Sequence, residues 1–171
     1  MRNHQALLEI PSAWHGLEDI ANWIVETVRP HVTVDLGVDH GFSTCVLATA
    51  GFGKVYGIDL NDDRLKYARK FALEHAIYNV EFICADYNTV AAQWSLPVDI
   101  LHIDGHHDYE NVSKDFNTWV PHLRQGGVLL MHDIDSFKDG PGRVFNDIPW
   151  PKWGIHKFSG LGVATKPYVA G

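Results

Sequence analysis

The chain has 171 residues, 46% hydrophobic and 20% charged, enough to bury the core of one α/β domain without disulfide or metal staples. Its formal net charge of -7 repels phosphate backbones and anionic lipid, so neither nucleic acid nor a membrane is expected as a partner. No apolar run is long enough to span a bilayer, Met1–Pro11 lacks the apolar core of a signal peptide, and the two cysteines, Cys45 and Cys84, read as free thiols; the expected location is the cytoplasm.

In chain order, Leu17, Ile20, Ala21, Ile24 and Val28 recur at helical spacing and predict a helix over Leu17–Arg29, ended by Pro30. Val32–Leu36 is a short apolar run closed by glycine, a buried strand. Ser43–Ala50 predicts the next helix, with Ser43 or Thr44 near its N-cap. Lys54–Leu60 is a second strand. Asn61 then caps a helix with Asp62 and Asp63 in its first turn and Leu65, Ala68, Ala72 and Ala76 on its inner face. Val80–Ala85 and Val98–Ile103 are further strands, with a short helix over Thr89–Ser95 between them. Tyr109, Val112, Phe116, Trp119 and Leu123 trace one helical stripe, stopped at Gly126-Gly127, and Val128–His132 is strand five. Ser136–Pro149, rich in Gly, Pro and Asp, reads as a loop. Gly154–Phe158 and Gly162–Lys166 read as a hairpin turning at Ser159-Gly160-Leu161. Alternation of this kind gives a parallel sheet with helices on both faces.

Ligands of such sheets bind at the carboxyl ends of the strands. Strand one ends in Asp35, Gly37, Asp39, Gly41, Ser43 and Thr44. This loop departs from the dinucleotide fingerprint, because Asp39 stands where a second glycine belongs, and its acidic residues oppose a pyrophosphate. It suits a ligand with a cationic amine, or it is a plain strand–helix turn. Asp59, about twenty residues on, can accept from both hydroxyls of a ribose or can cap the following helix. Asp86 and Tyr87 end strand three, where a carboxylate and an aromatic ring can hold an adenine. Strands four and five end in Asp104 and in His132-Asp133, an oxygen-rich seat for Mg²⁺ or another divalent cation. His107 lies three residues beyond Asp104 and can act as general base. Of the eleven histidines, His4, His15, His31, His75, His122 and His156 are read as surface or packing residues. A zinc hydrolase lacks support, because no paired-histidine helix motif is present. The tryptophans read as core, with Trp150 and Trp153 as exceptions beside the late loop.

The order Asp35, Gly37, Gly41, Ser43, Thr44, then Asp59, then Asp86 resembles class I S-adenosylmethionine-dependent methyltransferases. The stretch Ile103-Asp104, His107, Tyr109-Glu110, Val112 and Asp115, with Trp119, Gly126-Gly127 and His132-Asp133, resembles the branch of macrocin O-methyltransferase and the cephalosporin hydroxylase-like proteins. The resemblance implies one Rossmann-like doubly wound α/β domain over residues 1–171: an N-terminal helical segment (1–30), a cofactor-binding core (31–135), and a loop with a closing antiparallel hairpin (136–171), about seven strands in all. It implies S-adenosylmethionine held by Asp35, Gly37, Gly41, Ser43 and Thr44 on the methionine side, by Asp59 and Leu60 at the ribose and by Asp86 and Tyr87 at the adenine, with Asp104 adjoining. It implies Mg²⁺ on Asp104, His132 and Asp133, with His107 and Asp104 catalytic. Relatives often carry adjacent acidic ligands where this chain has His132-Asp133. The expected partner is a small-molecule or sugar hydroxyl, and a homo-oligomer stays open. Two alternatives stand beside this reading: a nicotinamide-dependent oxidoreductase and a non-catalytic cofactor-binding module.

Overall fold

Short apolar runs alternate with amphipathic helices, and in the computed structural model, which describes residues 2–169 and the side chains of 5–169, they build one seven-stranded sheet between two helical layers. The strands are β1 (Val32–Leu36), β2 (Lys54–Asp59), β3 (Val80–Cys84), β4 (Val98–Ile103), β5 (Leu123–His132), β6 (Lys152–Ile155) and β7 (Leu161–Thr165). The helices are α1 (Arg2–Leu7), α2 (Glu18–Val28), α3 (Phe42–Thr49), α4 (Asp62–Glu74), α5 (Tyr87–Ala91), α6 (Tyr109–Trp119) and α7 (Pro141–Asp147). Strand order is β3-β2-β1-β4-β5-β7-β6, parallel up to β5, with β7 antiparallel to both β5 and β6. This is the expected Rossmann-like arrangement, closed by an antiparallel hairpin.

Each layer follows from side-chain alternation along the strands. Ile100 and Leu130 face a core built with Leu7, Ile24, Phe42, Leu47, Leu65 and Phe71 from α1 to α4. Val34, Leu36, Leu101 and Leu129 face the other core, with Ala91, Val112, Trp119 and Phe145 from α5 to α7. β4 is buried at all six positions, as befits a central strand covered on both faces. Cys45 is buried in α3, which pushes its thiol up to about 12, and Cys84 is exposed; both are free. No described helix is long and apolar enough to cross a membrane.

The departures from expectation are local. α1 carries too few periodic positions to be read from its sequence. Ala76 lies beyond the end of α4, with φ 56°, because His75 already forms the C-cap. The short helix starts at Tyr87 rather than Thr89, since the Asp86 side chain caps it by accepting from the Thr89 N–H. The stripe ending at Leu123 breaks after Trp119: Leu123 opens β5, which bulges between its pairings with Val98 and Ile100, and Gly126 (φ 72°) sits in that bulge. The stretch expected as loop, 136–149, contains α7, with Pro141 in its first turn. The hairpin strands both begin earlier than their patterns predict.

One buried carboxyl ties β4 to its neighbours. Asp99 accepts from the N–H groups of His31 and Val32 and pairs with Arg124. Burial works to raise its pKa, but the N–H groups of Val32 and His31 and the Arg124 guanidinium outweigh that and hold it below the ordinary carboxyl range. A folded-state pKa that is depressed contributes stability above the unfolded value and loses it as pH falls through the folded one. Asp99→Ala is therefore expected to cost about 1–3 kcal/mol at neutral pH. Urea denaturation should show the difference from wild type shrinking as the medium is acidified below the ordinary carboxyl range; a constant difference would remove Asp99 from this role.

Candidate active site at the carboxyl ends of the strands

The site begins with a carboxyl group that has no access to water. Asp35 and His102 are register partners on β1 and β4, so their side chains share a face, and both are fully buried. His102 Nδ1 donates to Asp35 Oδ1 over 2.6 Å, while the hydroxyls of Ser43 and Thr44 donate to Oδ2 over 2.8 and 2.5 Å. Burying an acid without partners is costly, and these three donors remove that cost. They also correct the expected cap. Ser43 and Thr44 turn inward to Asp35, and Gly41, with φ 91°, is the N-cap residue of α3.

The loop between β1 and α3 is held from the other side by Asp59. Its Oδ2 accepts from the N–H groups of Val38 and Asp39, and its Oδ1 from that of Asn61. Gly37, with φ 93°, packs backbone to backbone: a Cβ there would lie 2.2 Å from the Asp104 carbonyl oxygen. Gly41 is equally close to α4, where a Cβ would meet that of Ala68 at 2.6 Å. The glycines thus let the loop lie against both β4 and α4.

Register then sets the row of functional groups. Leu36 pairs with Ile58 and Ile103, and Ile103 with Met131, so Gly37, Asp59, Asp104 and His132 emerge level with one another. They open on a cavity of about 380 Å³ whose walls also include Leu60, Tyr87, Gly105, His107 and Asp133. Tyr87 is buried against Gly105, and burial, with the charge of Asp59 adding, pushes its phenol above the ordinary range. At the β5 end, His107 Nε2 lies 3.0 Å from Asp133 Oδ2, and the His107 ring stacks on Phe137 at 4.1 Å. His132, 1% exposed, sets its Nδ1 3.2 Å from Asp104 Oδ1 and 3.5 Å from Asp133 Oδ1. Burial alone would lower the His132 pKa, but the hydrogen bond and charge of Asp104, with Asp133 adding, raise it. Burial likewise raises Asp133, and the charge of Asp104 works the same way against the two imidazoles. One ligand atom from each of Asp104, His107 and Asp133 lies within 4.8 Å of the others, a separation that fits donors around one divalent cation.

Among residues singled out from sequence, Gly37, Asp59, Leu60, Tyr87, Asp104, His107, His132 and Asp133 meet at this cavity. Asp35, Gly41, Ser43 and Thr44 do not line it and stand behind its loop. Asp86 is exposed and caps α5. Trp150 packs on Phe116 and Trp153 lies in a groove with Trp23, both away from the cavity. His15, His31, His75, His122 and His156 do not line it, and the side chain of His4 is outside the described residues. Sequence reasoning missed Ser12, Ala13 and Arg64, which complete the wall, because none lies at a strand end; Arg64 pairs with Asp39 across the mouth. It also missed the role of His102, while Trp14 is core as expected. Trp14 is buried edge-on to His102 at 4.8 Å and lies 5.9 Å from His132, so the segment before α2 is anchored under the site.

Residues 34–134 match the family described as a methyltransferase domain. The chain belongs to that methyltransferase family. Its sheet has the class I methyltransferase fold that the resemblance implied. An uncharacterized protein of Sinorhizobium fredii is 27% identical over 150 residues, 77% of this chain and 16% of that protein, so the chain spans about a sixth of this relative's length. Among solved structures, an O-methyltransferase from Bacillus cereus in complex with S-adenosylhomocysteine superposes with TM-score 0.74 at 16% identity, over 96% of this chain and 88% of its own. One from Streptomyces achromogenes, involved in tomaymycin synthesis and solved with S-adenosylmethionine, gives TM-score 0.75 at 14% identity, over 95% and 90%.

The Gly37 contact in this methyltransferase can be tested directly. Gly37→Ala is expected to lose about 1–3 kcal/mol of stability, since it forces a side chain into the left-handed region and onto the Asp104 backbone. An unchanged denaturation midpoint would mean that the loop does not rest on β4.

Proposed function

We propose that this methyltransferase transfers the methyl group of S-adenosylmethionine to a hydroxyl oxygen of a small molecule or a sugar, as in natural-product or polysaccharide tailoring, and that a divalent cation assists. The observation that carries the reading is that Asp104, His107 and Asp133 converge at the mouth of the cavity whose wall is the Gly37 loop. The relatives solved with S-adenosylmethionine and its demethylated product support the cofactor.

In this reading the Gly37 loop holds the methionine part of the cofactor, with its shape kept by Asp35, Gly41, Ser43 and Thr44. Asp59 with Leu60 faces the ribose. A carboxylate has about four lone-pair sites, and Asp59 uses three on backbone N–H groups, which leaves Oδ1 free to accept from a ribose hydroxyl. Tyr87 bounds the adenine side, with Asp86 behind it as the cap of α5. The cofactor brings an electrophilic methyl on a positive sulfonium, so the chain's main task is to hold the acceptor oxygen in line with it. A cation on Asp104 and Asp133, Mg²⁺ or another divalent ion, would supply Lewis acidity that lowers the pKa of the hydroxyl, whose proton would pass to water at the open mouth as the methyl–sulfur bond breaks and S-adenosylhomocysteine is left. Phe137, stacked on His107, and the Ser12-Ala13 segment flank the mouth and bound the space left for the acceptor. An oxidoreductase using a nicotinamide cofactor is disfavoured, since its pyrophosphate would meet Asp39, Asp59 and Asp104 in the same cavity.

Calorimetric titration tests the reading. S-adenosylmethionine should bind the wild-type chain, and Asp59→Ala should weaken it about tenfold or more, the loss of hydrogen bonds to a charged acceptor. No heat of binding at millimolar cofactor would overturn the proposal.

A further inference from the structure

We infer that His107 is the third protein ligand of the cation, that His132 positions Asp104 and Asp133 from behind, and that the site therefore prefers a nitrogen-accepting ion such as Mn²⁺ or Co²⁺ over Mg²⁺. The inference rests on the proposed methyl-transfer reading for the presence of a cation, and departs from the sequence expectation, in which His132 ligates and His107 is the base.

The two imidazoles stand in different surroundings. His132 is buried, and its Nδ1 faces one oxygen of each carboxyl, 3.2 and 3.5 Å away. A ring nitrogen that donates its proton to carboxylates has no lone pair to give to a metal. The rest of the ring is buried against Trp14 and the Phe158 backbone. His132 thus behaves as a group that orients ligating carboxylates. His107 is half-exposed at the mouth, with its Nε2 3.0 Å from the Asp133 oxygen that His132 leaves free. Phe137 fixes its plane, stacked within 9° of parallel. The backbone of Gly140 fixes its main chain, since a Cβ there would lie 1.9 Å from the His107 carbonyl oxygen. An imidazole held in one orientation beside two carboxylates is a ligand arrangement, and it needs no motion to close on an ion between them. The resulting set has two oxygens and one nitrogen. Mg²⁺ favours oxygen ligands throughout, whereas Mn²⁺ and Co²⁺ accept imidazole, with affinity rising along the first row.

The test uses the full chain, freed of metal with a chelator. Mn²⁺ is added and its electron-spin-echo signal is read for modulation by a coordinated ¹⁴N, with calorimetry of Mn²⁺ and Mg²⁺ alongside. Wild type is expected to show the ¹⁴N modulation and to bind Mn²⁺ about tenfold more tightly than Mg²⁺. His107→Gln, a change at an exposed position, should lose the modulation and bind Mn²⁺ at least about tenfold more weakly. His132→Asn should keep the modulation; if it does not fold, as a thermal melt would show, His107→Gln decides alone. Modulation that survives in His107→Gln, or that is missing from wild type, or a failure of Mn²⁺ to bind, overturns the inference. The cofactor titration is independent, so a chain that binds Mn²⁺ through His107 but not S-adenosylmethionine sinks the methyl-transfer reading and leaves the ligand assignment standing.

Discussion

A fully buried carboxyl group must find its hydrogen bonds inside the protein, and at Asp35 that requirement organises the whole site. Its three donors come from two elements, Ser43 and Thr44 on the first turn of α3 and His102 on β4. Satisfying them fixes where α3 starts relative to β1 and holds β4 alongside. The loop between β1 and α3 then has little freedom left, and Asp59 takes up most of it by accepting from Val38 and Asp39. The Gly37 loop is thus suspended between two acids, one below and one beside it. Only glycine at position 37 lets it come down onto the Asp104 backbone.

That close approach puts the glycine loop and the acidic cluster next to each other. Asp104 belongs to the acidic cluster through its side chain and to the support of the Gly37 loop through its carbonyl oxygen. A shift of the glycine loop therefore bears on Asp104, which links the loop to the acidic cluster through one stretch of backbone. Trp14 extends the same framework to the N-terminal side. Its indole lies against both His102 and His132, so the histidine behind the Gly37 loop and the histidine behind the acidic cluster share one packing partner. The charged groups at the mouth are kept in register by buried groups that never reach it.

The acidic strand ends divide their labour in a way that their residue types do not announce. Asp35, Asp59, Asp86, Asp104 and Asp133 all follow or end strands and look alike in the sequence. Asp35 is structural, Asp86 is a helix cap, Asp59 is shared between the loop and the cavity, and Asp104 and Asp133 face the mouth. Burial and the nearest unsatisfied backbone N–H groups decide among these roles. Some of the deciding contacts are local, such as Asp86 to Thr89, and others join distant residues, such as Asp59 to Val38 and Asp35 to His102. The histidines show the same split, since His102 and His132 are sealed inside while His107 stands open on Phe137.

The alternation of apolar runs and amphipathic helices was enough to place five parallel strands and most of their helices, because hydrophobic periodicity is a local property of the chain. The glycines and acids after β1 and β2 were enough to place Gly37 and Asp59 on the edge where the cavity opens, because strand ends in such a sheet fall on one edge. Local pattern could not show α7 within a stretch rich in glycine and proline, nor the bulge that draws Leu123 into β5, since both are settled by packing against elements distant in sequence. Nor could it show that Ser43 and Thr44 turn inward, that His102 lies buried beneath the loop, or that His107 rather than His132 completes the cluster with Asp104 and Asp133. Residue types and spacing determined which edge of the sheet carries the acidic strand ends and the cavity. Which side chain does what on that edge was decided only when folding chose which polar groups lose their water and must find partners in the interior.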